Sequence, residues 1–306
     1  MSQLRFLLSV QNDNNDYQIE QVKSARQAAA RCGVDLEVEC AQDDGILQSQ
    51  QLLHHIQAGA ASRPKVIIFE PAGSTTLPHV ARAAAGVGIG WVVLSRHADY
   101  VSELRSIPGI PVFVVAADHA EIGRIQGRQL GALLPRGGIV LAIQGPAHSK
   151  SANLRHCGLL ETKQENVQLR VVKGQWTEVS AQKAVTSWLA LSTSRGIDIA
   201  AVCAQDDSMA IGARQAFEQS THELRQSWRQ VPFLGCDGLP RTGQEWIRRG
   251  LLASTVLNPP TAPVAIELAA RFLQHGSMPP ALTLTVPRSI PELEALNRKT
   301  RAAAID

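Results

Sequence analysis

One pattern constrains this chain more than any other: short apolar runs of strand length alternate with longer stretches of helical period along nearly all 306 residues. The runs cover residues 6–10, 36–39, 66–69, 91–94 and 112–116, and a second series covers 139–143, 169–172, 199–203, 233–235 and 253–257. Between them, Ile19, Val22, Ala25, Ala29 and Cys32 recur on one helical face, as do Ala184, Val185, Trp188 and Leu189. Short strands that are apolar on both faces, separated by amphipathic helices, predict parallel sheets with helices on each side. The class is therefore α/β.

The series falls into two similar halves, each opening on strand, loop and helix. This predicts two doubly wound, Rossmann-like domains instead of one large sheet. A helix over 263–275 and a strand over 282–286 are surplus to the second half and are expected to return to the first. The expected lobes are thus 1–116 plus 259–286 and 117–258 plus 287–306, joined by a multi-strand hinge with a cleft across it. A last helix is expected over 291–304.

Composition narrows the function. Charged residues are 19% of the chain and the formal net charge is only +3, so no basic surface for nucleic acid is indicated. The most basic stretch, Arg298-Lys299-Thr300-Arg301, reads as a solvated helix face. Five scattered cysteines form no Cys-x-x-Cys pair, which suits neither a disulfide framework nor a zinc site. His54 and His55 lack metal-ligating partners at helical spacing and read as an exposed pair. The glycines of 86–90 precede a strand instead of following one, so they read as a helix stop and not a phosphate loop. Gly123, Gly127 and Gly131 recur every four residues and are expected to let their helix approach its sheet or a neighbour. No cofactor and no membrane insertion are expected. Met1-Ser2-Gln3 leads straight into a strand without an export signal, which places the chain as written in the cytoplasm, or in the periplasm if it is a processed form.

In doubly wound sheets, ligands sit beyond the carboxyl ends of the strands. The residues found there are 11–17, 70–73, Ser95, Arg96, Asp118, 144–153, 205–207, Asp237, Gly238 and Asn258, with Tyr17 and Trp176 nearby. The set is rich in amides, carboxylates and guanidinium. Sugar hydroxyls both donate and accept hydrogen bonds, and flat aromatic faces cover the apolar side of a sugar ring, so a hydroxyl-rich ligand fits.

At these loops the sequence resembles the type I periplasmic binding proteins for sugars, especially the ribose-binding branch, whose fold the ligand domains of lactose-repressor-type regulators share. The resemblance runs from Leu4 to about Pro287. Its most specific piece is Ala-Gln-Asp-Asp-Ser-Met-Ala-Ile-Gly-Ala at 204–213, followed by Leu-Gly-Cys-Asp-Gly at 234–238, Val-Val-Ala-Ala-Asp at 114–118 and Leu-Ser-Arg at 94–96. It implies a pocket of Asn15, Tyr17, Arg96, Asn153, Trp176, Asp206, Asp237 and Asn258, with no catalysis. Ser95 stands where the ribose branch has aspartate, Asn153 where it has arginine and Asp206 where it often has asparagine. Such swaps exchange donors for acceptors and point to a different hydroxyl pattern.

The implied function is reversible binding of a monosaccharide or polyol, as the solute-binding component of an ABC sugar transporter, with its permease as partner. Two other readings stay open. One is a cytosolic sugar-sensing module with a signalling partner. The other is a sugar-processing enzyme that uses Asp206 and Asp237 as a carboxylate pair.

Overall fold

A computed structural model describes residues 4–73, 75–194, 196–220, 228 and 231–302. The chain divides into two compact units, Met1–Ala117 with Pro260–Thr285 and Asp118–Pro259 with Val286–Asp306. It therefore passes from one unit to the other three times.

The first unit is a six-stranded sheet. Its strands are β1 (Leu4–Val10), β2 (Val34–Cys40), β3 (Val66–Phe69), β4 (Gly90–Leu94), β5 (Val112–Ala117) and β11 (Leu282–Thr285), in the order β11-β5-β4-β3-β1-β2, all parallel. Side chains alternate between its faces, as a two-residue period requires. Leu7, Ile67, Phe69, Trp91 and Val93 pack beneath α2 (Gly45–Gln57), α3 (Pro78–Gly86) and α4 (Val101–Leu104). Phe6, Leu8, Ile68, Val92 and Phe113 pack beneath α1 (Asp16–Cys32) and the returning helix Thr261–His275. Every strand predicted for this half is present. The returning helix begins two residues earlier than predicted, because Gln21 Oε1 accepts from the Thr261 and Ala262 amides at 2.8 and 3.2 Å and so caps its first turn.

The second unit repeats the plan with β6 (Gly138–Gln144), β7 (Val167–Lys173), β8 (Ile199–Ala204) and β9 (Phe233–Leu234), parallel in the order β7-β6-β8-β9. Helices α7 (Glu178–Leu189) and α8 (Asp207–Glu218) cover one face. On the other lie α5 (His119–Leu133) and α6 (Lys150–Thr162), with Leu130 and Leu159 on the sheet. Strand β10 (Thr255–Leu257) pairs antiparallel with β12 (Arg288–Ile290). The α/β class with two parallel-sheet units is thus as the sequence predicts.

The regular glycines of α5 have a specific partner. A Cβ on Gly123 would lie 1.9 Å from the Arg155 carbonyl oxygen, and one on Gly158 would lie 2.0 Å from that of Ala120. Backbones of α5 and α6 touch there because neither helix carries a side chain at the contact.

Several local expectations need correction. Ile19 is 54% exposed, and the inner face of α1 carries Gln18 and Gln21 instead, since these amides serve a buried carboxylate described below. His54 is exposed as expected, but His55 is buried, because it lies against Glu39 of β2. All five cysteines are free. Cys203 and Cys236 are buried and Cys157 is exposed. Burial pushes the Cys203 thiol up to about 12. The last helix spans Leu293–Ala302 with Arg298 exposed, and the side chains of Lys299, Thr300 and Arg301 lie outside the described residues. Among the described residues, no helix is long and apolar enough to cross a membrane.

Candidate functional site

In the first unit, the loop after β1 is a chain of amides. Asn15 caps α1: its Oδ1 accepts from the Gln18 amide at 3.0 Å, and its Nδ2 donates to Asn12 Oδ1 at 3.1 Å. Asn12 in turn donates to Asp43 Oδ1 at 2.8 Å. Capping of this kind satisfies one of the unpaired N–H groups at a helix start and is favoured by asparagine. Tyr17, half-buried, follows in the first turn. Arg96 follows β4 and donates from Nη1 to the Gly73 carbonyl at 2.5 Å. Its neighbour Ser95 adopts φ +65°.

Ser95 and the first turns of α1 converge on Glu70, at the end of β3, which is only 7% exposed. Gln18 and Gln21 donate to its Oε2 at 2.7 and 3.1 Å, and Ser95 donates to its Oε1 at 3.0 Å. Burial pushes its carboxyl up, and the three donors and the Arg96 charge only partly offset this. Glu70 is among the strand-end residues, but no pattern along the chain signals that amides of α1 converge on it.

The second unit assembles a denser cluster around Arg155, a residue that sequence reasoning did not select. Asn153, which it did select, is exposed and donates to the Ala147 carbonyl at 3.5 Å. Two residues further along α6, Arg155 is 5% exposed. Its guanidinium donates to the Gln205 carbonyl and, at 3.4 Å, to His119 Nδ1, and it faces Asp237 Oδ1 at 3.6 Å. The Trp176 ring lies over it, with 5.6 Å between Cζ and the ring centroid, within cation–π range. Helical geometry could have distinguished the two positions, since the α6 stripe Ala152, Arg155 and Leu159 is the buried one.

Each neighbour is held in turn. Gly145 leaves room for Trp176, because a Cβ there would lie 2.2 Å from the indole. Asp206 caps α8, accepting from the Met209 amide at 2.5 Å. Asp207 is 2% exposed and braces the turn after β9, accepting from the Gly238 amide at 2.8 Å and the Thr255 hydroxyl at 2.6 Å. Burial, with the Asp237 and Asp206 charges, pushes its carboxyl well up. That turn holds Asp237 at φ +101°. Asn258, 3% exposed, donates to Asp237 Oδ1 at 3.3 Å, and its own Oδ1 is buried without a partner among the described residues. Beside the Arg155 guanidinium, burial and that charge push the His119 imidazole down to about 3, so it is neutral and free to accept.

The structure therefore gathers Trp176 and Asp237 around Arg155 and Asn258 on Asp237, with Asp206 close enough for its charge to act on Asp207. Within the first unit it sets Asn15 and Arg96 on strand-end loops. The second cluster combines carboxylate and amide acceptors, a guanidinium and a flat ring, groups able to hydrogen-bond hydroxyls and to pack on an apolar face.

Comparison with known proteins identifies the family. The family described as periplasmic binding protein domain matches residues 6–277. A protein named as rhizopine-binding in Rhizobium meliloti is 29% identical over 203 residues, which are 63% of this chain and 60% of that one. The D-allose-binding periplasmic protein of Escherichia coli (strain K12) is 26% identical over 255 residues, 81% of this chain and 76% of that one. Among solved structures, an ABC transporter periplasmic solute binding protein from Actinobacillus succinogenes 130z with bound D-allose superposes with a TM-score of 0.78. It is 22% identical and covers 96% of this chain and 99% of its own. On the family match across 6–277, the chain belongs to the periplasmic binding protein domain family.

Proposed function

We propose that this protein binds a monosaccharide or polyol reversibly and serves as the solute-binding component of an ABC sugar transporter. The observation that carries the reading is the buried Arg155 flanked by Asp237, Asn258 and Trp176 at the strand ends of the second unit. Such a set presents charged donors and acceptors to hydroxyls and a ring face to the apolar side of a sugar. The relatives named for D-allose binding support the ligand class, and the ABC transporter protein of like fold supports the permease as partner. The same relatives, named as periplasmic, support a periplasmic location.

On this reading the ligand-contacting residues are Asn15, Tyr17 and Arg96 of the first unit and Asn153, Trp176, Asp206, Asp237 and Asn258 of the second, joined by Arg155. The protein performs no chemistry. Asp206 spends one carboxylate oxygen on a helix cap, a poor setting for half of a hydrolytic pair.

The test is a thermal-shift screen against pentoses, hexoses, polyols and cyclitols. A ligand at a hundred times its Kd stabilises the native state by about 2.7 kcal/mol. For any hit, Asp237→Ala should abolish the shift while the apo protein still melts cooperatively; a shift of undiminished size would remove Asp237 from the pocket. Silence across the whole panel would reject the ligand class.

A further inference from the structure

Glu37, Glu39 and His55 form a cluster in the first unit that none of the strand-end contacts uses. Glu37 and Glu39 are two apart on β2, the edge strand of the sheet, so they share a face. Leu36, Val38 and Cys40 alternate with them and pack toward α1 and the returning helix. The glutamates therefore point to the α2 side. There His55, 8% exposed, places Nε2 at 3.0 Å from Glu39 Oε1 and 4.0 Å from Glu37 Oε1. One ligand atom from each residue lies within 4.8 Å of the other two.

We propose that Glu37, Glu39 and His55 bind a divalent transition-metal ion of the zinc type. A hydrogen bond between His55 and Glu39 accounts for only one carboxylate oxygen. The other, Glu39 Oε2, is buried with no partner among the described residues. A buried carboxylate oxygen left unpaired is costly. The Nε2 atom can offer one proton to one oxygen, whereas a metal ion engages the imidazole and both carboxylates together. Arg5 holds the far oxygen of Glu37 at 3.3 Å, which leaves Oε1 turned toward His55.

The donor set selects the ion. Calcium takes six to eight oxygens and magnesium demands an octahedron, while zinc accepts imidazole and carboxylate together, with three protein ligands and water in the fourth place. Ligand atoms about 2.1 Å from a tetrahedral zinc lie about 3.4 Å apart, between the two His55 distances, so a small side-chain adjustment closes the site.

The experiment uses the full chain, stripped with chelator and titrated with zinc sulfate by calorimetry, with a melting curve at each end point. One zinc per chain should bind with micromolar or tighter affinity and raise Tm. Loss of a group that merely hydrogen-bonds a metal ligand costs 10–100-fold in affinity, so His55→Ala and Glu39→Gln should each weaken binding by more than about a hundredfold. His54→Ala, in the exposed neighbour, should leave it unchanged. Should His55→Ala fail to fold, Glu37→Gln at the half-exposed position supplies the same comparison. A wild-type protein that takes up no zinc, or variants that bind it as the wild type does, would overturn the proposal. The sugar response should survive all of these substitutions, which keeps this test separate from the proposed function.

Discussion

Both units place a buried ionisable group where their strands end, yet the two groups are of opposite sign and are held by opposite means. In the first unit, Glu70 is surrounded by neutral donors, two amides and a hydroxyl. In the second, Arg155 is surrounded by acceptors: a carbonyl, a neutral imidazole and a carboxylate, with an indole across its face. The contrast follows from proton chemistry. A buried glutamate can take up a proton when its environment is too dry, so neutral partners suffice. Arginine cannot shed its charge, so every neighbour has to be built to receive it. A buried charge of either sign is thus tolerated near the strand ends, provided that its surroundings match how firmly the charge is fixed.

The largest expected effect is on the arginine side. Removing one partner of a buried ion pair costs about 3–5 kcal/mol, so Arg155→Met should lose that much by urea denaturation and lose any ligand response. A cost near zero would mean that Arg155 is no hub and would dissolve the contrast. Next, Gly123→Ala forces a methyl group against the Arg155 carbonyl. Overpacking costs about 1–3 kcal/mol, and the variant should bind any ligand more weakly than wild type because α6 is displaced.

The His119 imidazole, pushed down to about 3, sets a pH dependence. Its folded value lies below its unfolded one, so its contribution is present above about 6.5 and is lost as pH falls from there toward 3. Wild type should lose on the order of 1 kcal/mol between pH 7 and pH 5 that His119→Gln retains. Equal slopes for the two proteins would show that His119 is charged in the fold. The smallest effect belongs to Glu70. Its raised value means that the fold favours its protonated form, a contribution present at low pH and lost as pH rises through the folded value. Glu70→Gln mimics that form, so it should shift stability by less than about 1 kcal/mol near neutral pH and flatten the profile.

The alternation of apolar runs and helical stretches was enough to locate all ten predicted strands and the return of the last segments to the first sheet. What it could not locate were contacts made by side chains distant in sequence. Gln18 and Gln21 break the apolar face of α1 for the sake of Glu70, 52 and 49 residues away. Arg155 looks like one more basic residue until α6 is seen packed backbone to backbone on α5. His55 has no metal-ligating partner at helical spacing, and its carboxylate neighbours Glu37 and Glu39 are on a strand. Periodicity reports which face is buried, and it is silent about which polar groups will meet there.

The path of the chain has a consequence for how the protein is made. One face of the first sheet is closed by the helix Thr261–His275 and one edge by Leu282–Thr285, so its core needs residues near both ends of the polypeptide. Among the described residues, the apolar cores against the second sheet draw on residues 130–252 with their packed neighbours. On a ribosome that emits the chain from its amino end, this face of the first sheet is therefore closed only after the residues of those cores have been made. During that interval Phe6, Leu8 and Phe113 lack one of their two covering helices, and this is when the nascent chain is most open to misassociation.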